Sequence, residues 1–177
     1  MAFLTFSNLS SQGFTKSDIL NLRLGASMHM GKRVFLSYRR EDRQWVDGVV
    51  RWLLNMGVSV YIDYLDETLE EGPSESVAVK LRSHIGQCSK FICLVTPNSS
   101  KSKWMPWELG LGDRIVNFKN VAVLPLTNDP SSFGDQEYGK IYGQISSNYP
   151  VSIASKNDWM VGYPNGMKVK LIDWLRS

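Results

Sequence analysis

Several features that define whole classes of protein are missing from this sequence of 177 residues. The spacing of the only two cysteines, Cys88 and Cys93, fits neither a zinc ribbon nor a CxxC redox pair, and the two histidines are far apart in the sequence, so no metal constellation is visible. We therefore expect no metal site, and Cys93, inside an apolar run, is expected to be a small core side chain. No run approaches the roughly 18 apolar residues that span a bilayer, and no signal peptide is evident, so the expected location is cytoplasmic.

Strong charge of one sign is also missing. The net charge is +3, with 20 basic and 17 acidic residues interspersed, so neither a nucleic acid nor a membrane is an expected partner. The chain has no P-loop, and Gly110 and Gly112 lie in a helical stretch rather than after a strand, which excludes a dinucleotide-binding fingerprint. No Ser/His/Asp or Cys/His catalytic set is apparent.

Apolar runs that alternate with amphipathic stretches are what the sequence does contain. Strands are predicted at 33–38, 58–62, 91–96 and 121–126, with a fifth at 150–153 or 159–163. Helices are predicted between them, one capped by Asp42, one from Trp104 to about Phe118, and a short one at the end of the chain. The stretch 127–148 is interpreted as loops around a short helix. Residues 1–31 are interpreted as an N-terminal extension with a possible short helix at 15–24, and 32–177 as the domain.

This alternation predicts an α/β fold of three layers, flavodoxin-like, with a mostly parallel five-stranded sheet. Parallel sheets of this kind bind ligands at the carboxyl ends of their strands. Three segments should meet there, at 37–40, 63–69 and 96–104. Any chemistry is expected at that rim.

Three motifs in these segments resemble those of TIR (Toll/interleukin-1 receptor) domains. Residues 34–42, Val-Phe-Leu-Ser-Tyr-Arg-Arg-Glu-Asp, look like the first conserved box of the family. Residues 57–63, Gly-Val-Ser-Val-Tyr-Ile-Asp, with the acidic loop after them, resemble its second strand and BB loop. Trp104 and Glu108 match the Trp-x-x-x-Glu signature of the TIR domains that consume NAD⁺. The resemblance is clear over residues 33–126 and loose beyond.

The resemblance implies that Glu108 is the catalytic carboxylate. Cleavage of a nicotinamide–ribose bond builds positive charge on the ribosyl ring, and an ionised carboxylate beside that carbon stabilises the cation or traps it. A helix N-terminus, where Glu108 is predicted to lie, favours the ionised form. The alternative is a helix-start glutamate that only complements the helix dipole.

Six further residues are candidates for binding the substrate: Tyr38, Arg39, Asp63, Ser100, Ser102 and Trp104. The resemblance places Tyr38 and Arg39 at the nucleotide, where Arg39 suits a pyrophosphate. Asp63 could accept from ribose hydroxyls or cap its loop, and the two serines could bond ribose, orient Glu108 or be ordinary loop residues. Trp104 could stack on a base or pack in the core.

The implied activity is that of an NAD⁺ glycohydrolase or ADP-ribosyl cyclase, with NAD⁺ as substrate and no cofactor. A chain of this size looks like the bacterial antiphage (Thoeris-type) TIR enzymes, whose cyclic or modified ADP-ribose messenger is read by a separate effector protein. TIR domains also self-associate, so dependence on assembly is expected. A non-enzymatic adaptor and a nucleoside transferase are the alternatives.

Overall fold

The computed structural model describes residues 1–9, 32–63, 74–131 and 137–177. The helices in these ranges are α1 (Arg43–Asn55), α2 (Glu75–Gly86), α3 (Met105–Val116) and α4 (Leu171–Arg176). The strands are β1 (Leu4–Thr5), β2 (Arg33–Ser37), β3 (Ser59–Tyr61), β4 (Lys90–Val95), β5 (Val121–Thr127), β6 (Gly143–Ser147), β7 (Trp159–Gly162) and β8 (Lys168–Lys170).

The strands form one sheet in the order β3-β2-β4-β5-β6-β7-β8, with β1 paired to β5. The strands from β3 to β6 are parallel, whereas β7 and β8 are added antiparallel. The α/β fold with a mostly parallel sheet is therefore confirmed. The prediction of five strands is wrong, because eight are present among the described residues.

Two cores, one on each face of the sheet, follow from the two-residue period of the strands. Val34 and Leu36 of β2 point into the core beneath α1 and α4, while Phe35 between them points into the core beneath α2 and α3. Strand β4 divides in the same way, and all six of its residues are buried. Burial on both faces explains why these strands are continuous apolar runs.

The C-terminal third differs from its predicted arrangement. Residues 143–147, interpreted as loop, form β6, and of the two alternatives for the next strand the structure has Trp159–Gly162. Residues 150–153 form turns instead. Strand β6 was missed because it is short and holds Gly, Gln and two Ser, and its strand conformation depends on pairing with β5 and β7.

The first residues of the chain belong to the sheet. Leu4 and Thr5 pair in parallel with Leu126 and Thr127 at the end of β5. Ala2 exchanges two backbone hydrogen bonds with Ser147, at 2.7 and 2.8 Å. The division between residues 1–31 and 32–177 stays a prediction, and the helix expected at 15–24 lies outside the described residues.

No helix in the described ranges is both long and apolar enough to cross a bilayer.

Candidate active site

Glu108 lies in the first turn of α3, under the carboxyl end of β2. Only 5% of it is exposed. Ser37, the last residue of β2, donates its hydroxyl hydrogen to Oε2 of Glu108 over 2.5 Å. Ser37 is two residues beyond Phe35, so it points to the face of the sheet that α3 covers. The start of α3 is thereby joined to the rim of the sheet where ligands bind in this class of fold.

Burial determines the charge of Glu108. It raises the pKa of this carboxyl to about 8, against the hydrogen bonds from Ser37 and Trp104, which lower it; the nearby charge of Asp63 raises it further. The position at a helix N-terminus had favoured an ionised carboxylate, but burial outweighs that effect. Burial therefore favours the neutral form of Glu108 more than an exposed helix start would.

Tyr38 and Asp63 connect the ends of β2 and β3. The Tyr38 hydroxyl, on a side chain that is 8% exposed, donates to Oδ1 of Asp63 over 2.6 Å. Asp63 is half-buried and close enough to Glu108 for its charge to act there. The carboxylate of Asp63 therefore lies on the same rim as Glu108, with its Oδ1 bonded to Tyr38.

Arg39 is held by protein partners. Nε and Nη2 donate to the two carboxylate oxygens of Glu41, at 2.7 and 2.5 Å, and Nη1 donates to the carbonyl of Asn98 at 2.5 Å. The hydrogen bond from Arg39 is the main reason why the pKa of Glu41 falls to about 2. Arg39 would have to exchange one of these partners to bind a pyrophosphate.

The remaining candidates, Ser100, Ser102 and Trp104, lie in the segment just before α3. Ser102 accepts a hydrogen bond from the backbone N–H of Met105 over 3.1 Å, so its hydroxyl starts the helix. Trp104 is half-buried and stacks on Trp107, with ring centroids 4.7 Å apart. Ser100 lies exposed in the turn before Ser102.

The structure thus gathers Tyr38, Asp63, Trp104 and Glu108 at one rim and gives Arg39 and Ser102 local partners. The part that each plays with a substrate stays a prediction.

One residue of this rim, Ser37, was missed from the sequence, whereas Cys93 is the buried core side chain that was expected. Ser37 lay in a segment predicted to meet there, and a lone hydroxyl at the end of an apolar strand was the available signal. Its neighbour across the sheet is Cys93 of β4, a fully buried thiol whose pKa is raised to about 12 by burial and, second, by Glu108.

Asp42 also has a different role from the one predicted. It was expected to cap α1, but its side chain makes no capping hydrogen bond there. It is 1% exposed, and its two carboxylate oxygens accept from Thr96 Oγ1 at 2.7 Å and from Asn98 Nδ2 at 2.9 Å. This buried carboxylate ties the loop after β4 to the loop after β2, and so fixes the path of the chain towards α3.

No group of three or more His, Cys, Asp or Glu side chains suited to a metal ion occurs in the described part of the chain.

The parallel sheet, the covered faces and this rim define a TIR-type architecture. The chain belongs to the TIR domain family, whose model matches residues 34–151.

Among known proteins, the chain is similar to one from Bacillus cereus (strain MSX-D12) named a probable 3' cyclic ADP-D-ribose synthase, ThsB'. The two are 29% identical over 148 residues, which cover 81% of this chain and 75% of that protein.

Solved structures to which the chain is similar include the following two. The TIR domains of the activated Roq1 resistosome are 28% identical, with a TM-score of 0.40, over 55% of this chain and 57% of that one. A 2-deoxyribosyltransferase from Bacillus psychrosaccharolyticus is 15% identical, with a TM-score of 0.50, over 68% of this chain and 93% of that one. The second likeness is one of fold alone.

Proposed function

We propose that this TIR domain cleaves the nicotinamide–ribose bond of NAD⁺, with Glu108 as the catalytic carboxylate. The observation that carries the proposal is the buried Glu108 carboxyl, held by Ser37 at the carboxyl ends of the parallel strands with Trp104 beside it. A glutamate that only complemented the helix dipole would lie exposed at the helix start. Burial of this carboxyl is costly for folding, and a role in chemistry explains why it is there.

The charge of the substrate suits this environment. The nicotinamide ring of NAD⁺ is a cation, and a cation beside a buried carboxyl favours its ionised form. Glu108 gives up its proton to water as the substrate binds, and its carboxylate then faces the ribosyl carbon. When the C–N bond breaks, the electron pair leaves with neutral nicotinamide and positive charge develops on the ribosyl ring, where the carboxylate stabilises it.

The second half of the reaction determines the product. The oxygen of water, or of a hydroxyl group of the same ADP-ribosyl unit, bonds to the cationic carbon and releases its proton. Water gives ADP-ribose, and an internal hydroxyl gives a cyclic product. The relative named a probable 3' cyclic ADP-D-ribose synthase supports the cyclic product. We propose that this product is a messenger in antiviral defence, and that a separate effector protein senses it in the cytoplasm.

We further propose that activity depends on self-association through the TIR domain. The acidic residues of 64–71, which lie outside the described residues, follow Asp63 directly in the chain. A site completed by a second copy would give a rate per molecule that rises with protein concentration or crowding. A rate per molecule that stays constant over a wide dilution range would exclude this.

The decisive experiment is incubation of the purified protein with NAD⁺ at high protein concentration, with the products identified by mass spectrometry. Nicotinamide together with ADP-ribose or an isomer of cyclic ADP-ribose is the expected result. A nucleoside added with a different free base, in competition with NAD⁺, tests the alternative of a transferase that acts on nucleosides, since such an enzyme would move the sugar from the nucleoside to that base. If no nicotinamide is released at any concentration, the non-enzymatic adaptor becomes the better description.

A further inference from the structure

Three buried side chains form a continuous series from the middle of the sheet to the candidate catalytic carboxyl. Cys93 and Ser37 are direct neighbours on β4 and β2, and they point to the same face. The Ser37 hydroxyl also reaches Oε2 of Glu108 over 2.5 Å. The exposed fractions are 0% for Cys93, 2% for Ser37 and 5% for Glu108, so bulk water does not take the place of these contacts.

A serine hydroxyl can serve both states of a neighbouring carboxyl because it both donates and accepts. When Glu108 is ionised, Ser37 donates to the carboxylate. The neighbouring Cys93 thiol stays protonated because burial raises its pKa to about 12. When Glu108 is neutral, the carboxylic acid donates to the same hydroxyl. One contact therefore holds Oε2 in place throughout the change of charge.

We propose that Ser37 is a positioning residue for Glu108: its hydroxyl fixes the orientation of the carboxyl and stabilises its negative charge as the C–N bond breaks. The inference rests on the proposed function, which it deepens by naming what holds the reacting group. The contact matters because Glu108 is buried: if its carboxylate loses the Ser37 hydrogen bond, no water molecule can take the place of the lost donor.

Groups from each neighbouring element act on the charge of Glu108. Asp63 after β3 opposes ionisation, while Ser37 at the end of β2 and Trp104 before α3 favour it. Cys93 on β4 is a neutral neighbour. Removal of the Ser37 hydroxyl leaves the opposing groups in place, so Glu108 should ionise only at higher pH, and the acid limb of activity should move towards alkaline pH.

The kinetic test compares the wild type with Ser37→Ala and Ser37→Thr. Ser37→Ala should lower kcat by about 10- to 100-fold with a smaller change in KM, and should shift the acid limb of the pH profile to higher pH. Ser37→Thr keeps the hydroxyl and should recover most of both. The matched control is Ser59→Ala, which removes the hydroxyl of another buried strand serine. Ser59 lies at the amino ends of the parallel strands, away from Glu108, so kcat should stay near the wild-type value.

A second measurement does not need catalysis. A double-mutant cycle with Ser37→Ala and Glu108→Gln, measured by urea unfolding, gives the coupling between the two side chains. The coupling should be larger at pH 9, where Glu108 is ionised, than at pH 5. An inactive wild type that still shows this coupling overturns the proposed function and, with it, any part of Ser37 in catalysis. An active wild type with no coupling at pH 9, or with normal kcat and acid limb in Ser37→Ala, overturns the positioning role alone.

Discussion

Gly112 of α3 lies against the ring of Phe91 on β4, so closely that a Cβ atom at position 112 would be 2.6 Å from Cδ2 of that ring. The helix that carries Glu108 is therefore seated on the sheet through a contact that requires the absence of a side chain. The distance between α3 and β4 in turn sets how near Glu108 comes to Ser37.

Gly112→Ala should therefore destabilise the fold by about 1–3 kcal/mol, because Phe91 is fully buried and has no room to move. Gly110→Ala is the matched control in the same helix. An added Cβ there meets nothing within 4 Å, so the better helix propensity of alanine should stabilise the protein by roughly 0.5–1 kcal/mol. Urea unfolding measures both, and effects of the same sign would contradict this packing.

Glu108→Gln should lower kcat for nicotinamide release by about 10²–10³, because it removes the negative charge that faces the developing cation while keeping the shape of the side chain. If Glu108 also forms a covalent intermediate, the loss should be larger. Circular dichroism establishes that the variant is folded.

The control for that variant is Glu75→Gln. Glu75 is also in the first turn of a helix, but it is exposed at the start of α2. The same chemical change there should leave kcat unaltered. A folded Glu108→Gln protein that kept more than about a tenth of wild-type activity would remove Glu108 from the mechanism, since one charge of this kind is typically worth about a hundredfold or more.

The raised pKa of Glu108 also predicts how stability depends on pH. An ordinary glutamate, like the one in the unfolded chain, has a pKa of 4.5, whereas the folded protein has one of about 8. Between these values the folded state holds a proton that the unfolded state has released. The stabilisation from this proton is complete below pH 4.5 and is lost as the pH rises to about 8, by up to about 1.4 kcal/mol per pH unit.

The Glu108→Gln variant has an amide in place of the carboxyl, and the amide does not titrate in this pH range. The free energy of unfolding of the variant, relative to wild type, should therefore rise steadily from pH 5 to pH 8. Urea unfolding of the two proteins at each pH isolates the effect, because every other titrating group is common to both. A difference that does not vary with pH would mean that Glu108 is ionised in the folded protein.

Opposite effects are expected from the two members of the Arg39–Glu41 ion pair. If Arg39 binds pyrophosphate, Arg39→Ala should raise KM roughly 10- to 100-fold with little change in kcat. Glu41→Gln weakens the hold on the guanidinium and should lower KM. Steady-state kinetics of the two variants decide the matter, and an equal rise of KM in both would make the pair a structural link between the loops that follow β2 and β4.

The sequence predicted best where burial is complete. Strands β2, β4 and β5 are apolar runs with water on neither face, and their positions agree with the predictions to within a residue or two. Strand β1 could not be found in this way, because its partner Leu126 is 122 residues away from Leu4 and a pair of residues has no period. Nothing local indicates such a pairing.

The features of the candidate site also differ in whether local sequence could predict them. The four-residue spacing of Trp104 and Glu108 and the order of strand and loop predicted the rim of the sheet at which the structure has them. The bond from Ser37 to Glu108 required knowing which helix covers which face of β2. The charge of Glu108 required its burial, since a helix N-terminus alone favours the opposite state. The packing of a helix on one face of a strand and the burial of a side chain both depend on the tertiary structure, so local sequence does not reveal them.

The pairing of β1 has a consequence for how the chain matures during synthesis. A ribosome releases Leu4 and Thr5 well before Leu126 and Thr127, because 122 residues separate Leu4 from its partner Leu126. Leu4 and Thr5 therefore cannot pair with β5 while β2, β3 and β4 are being synthesised. Their docking is thus a late event in biogenesis, and it completes the edge of β5 only once that strand exists.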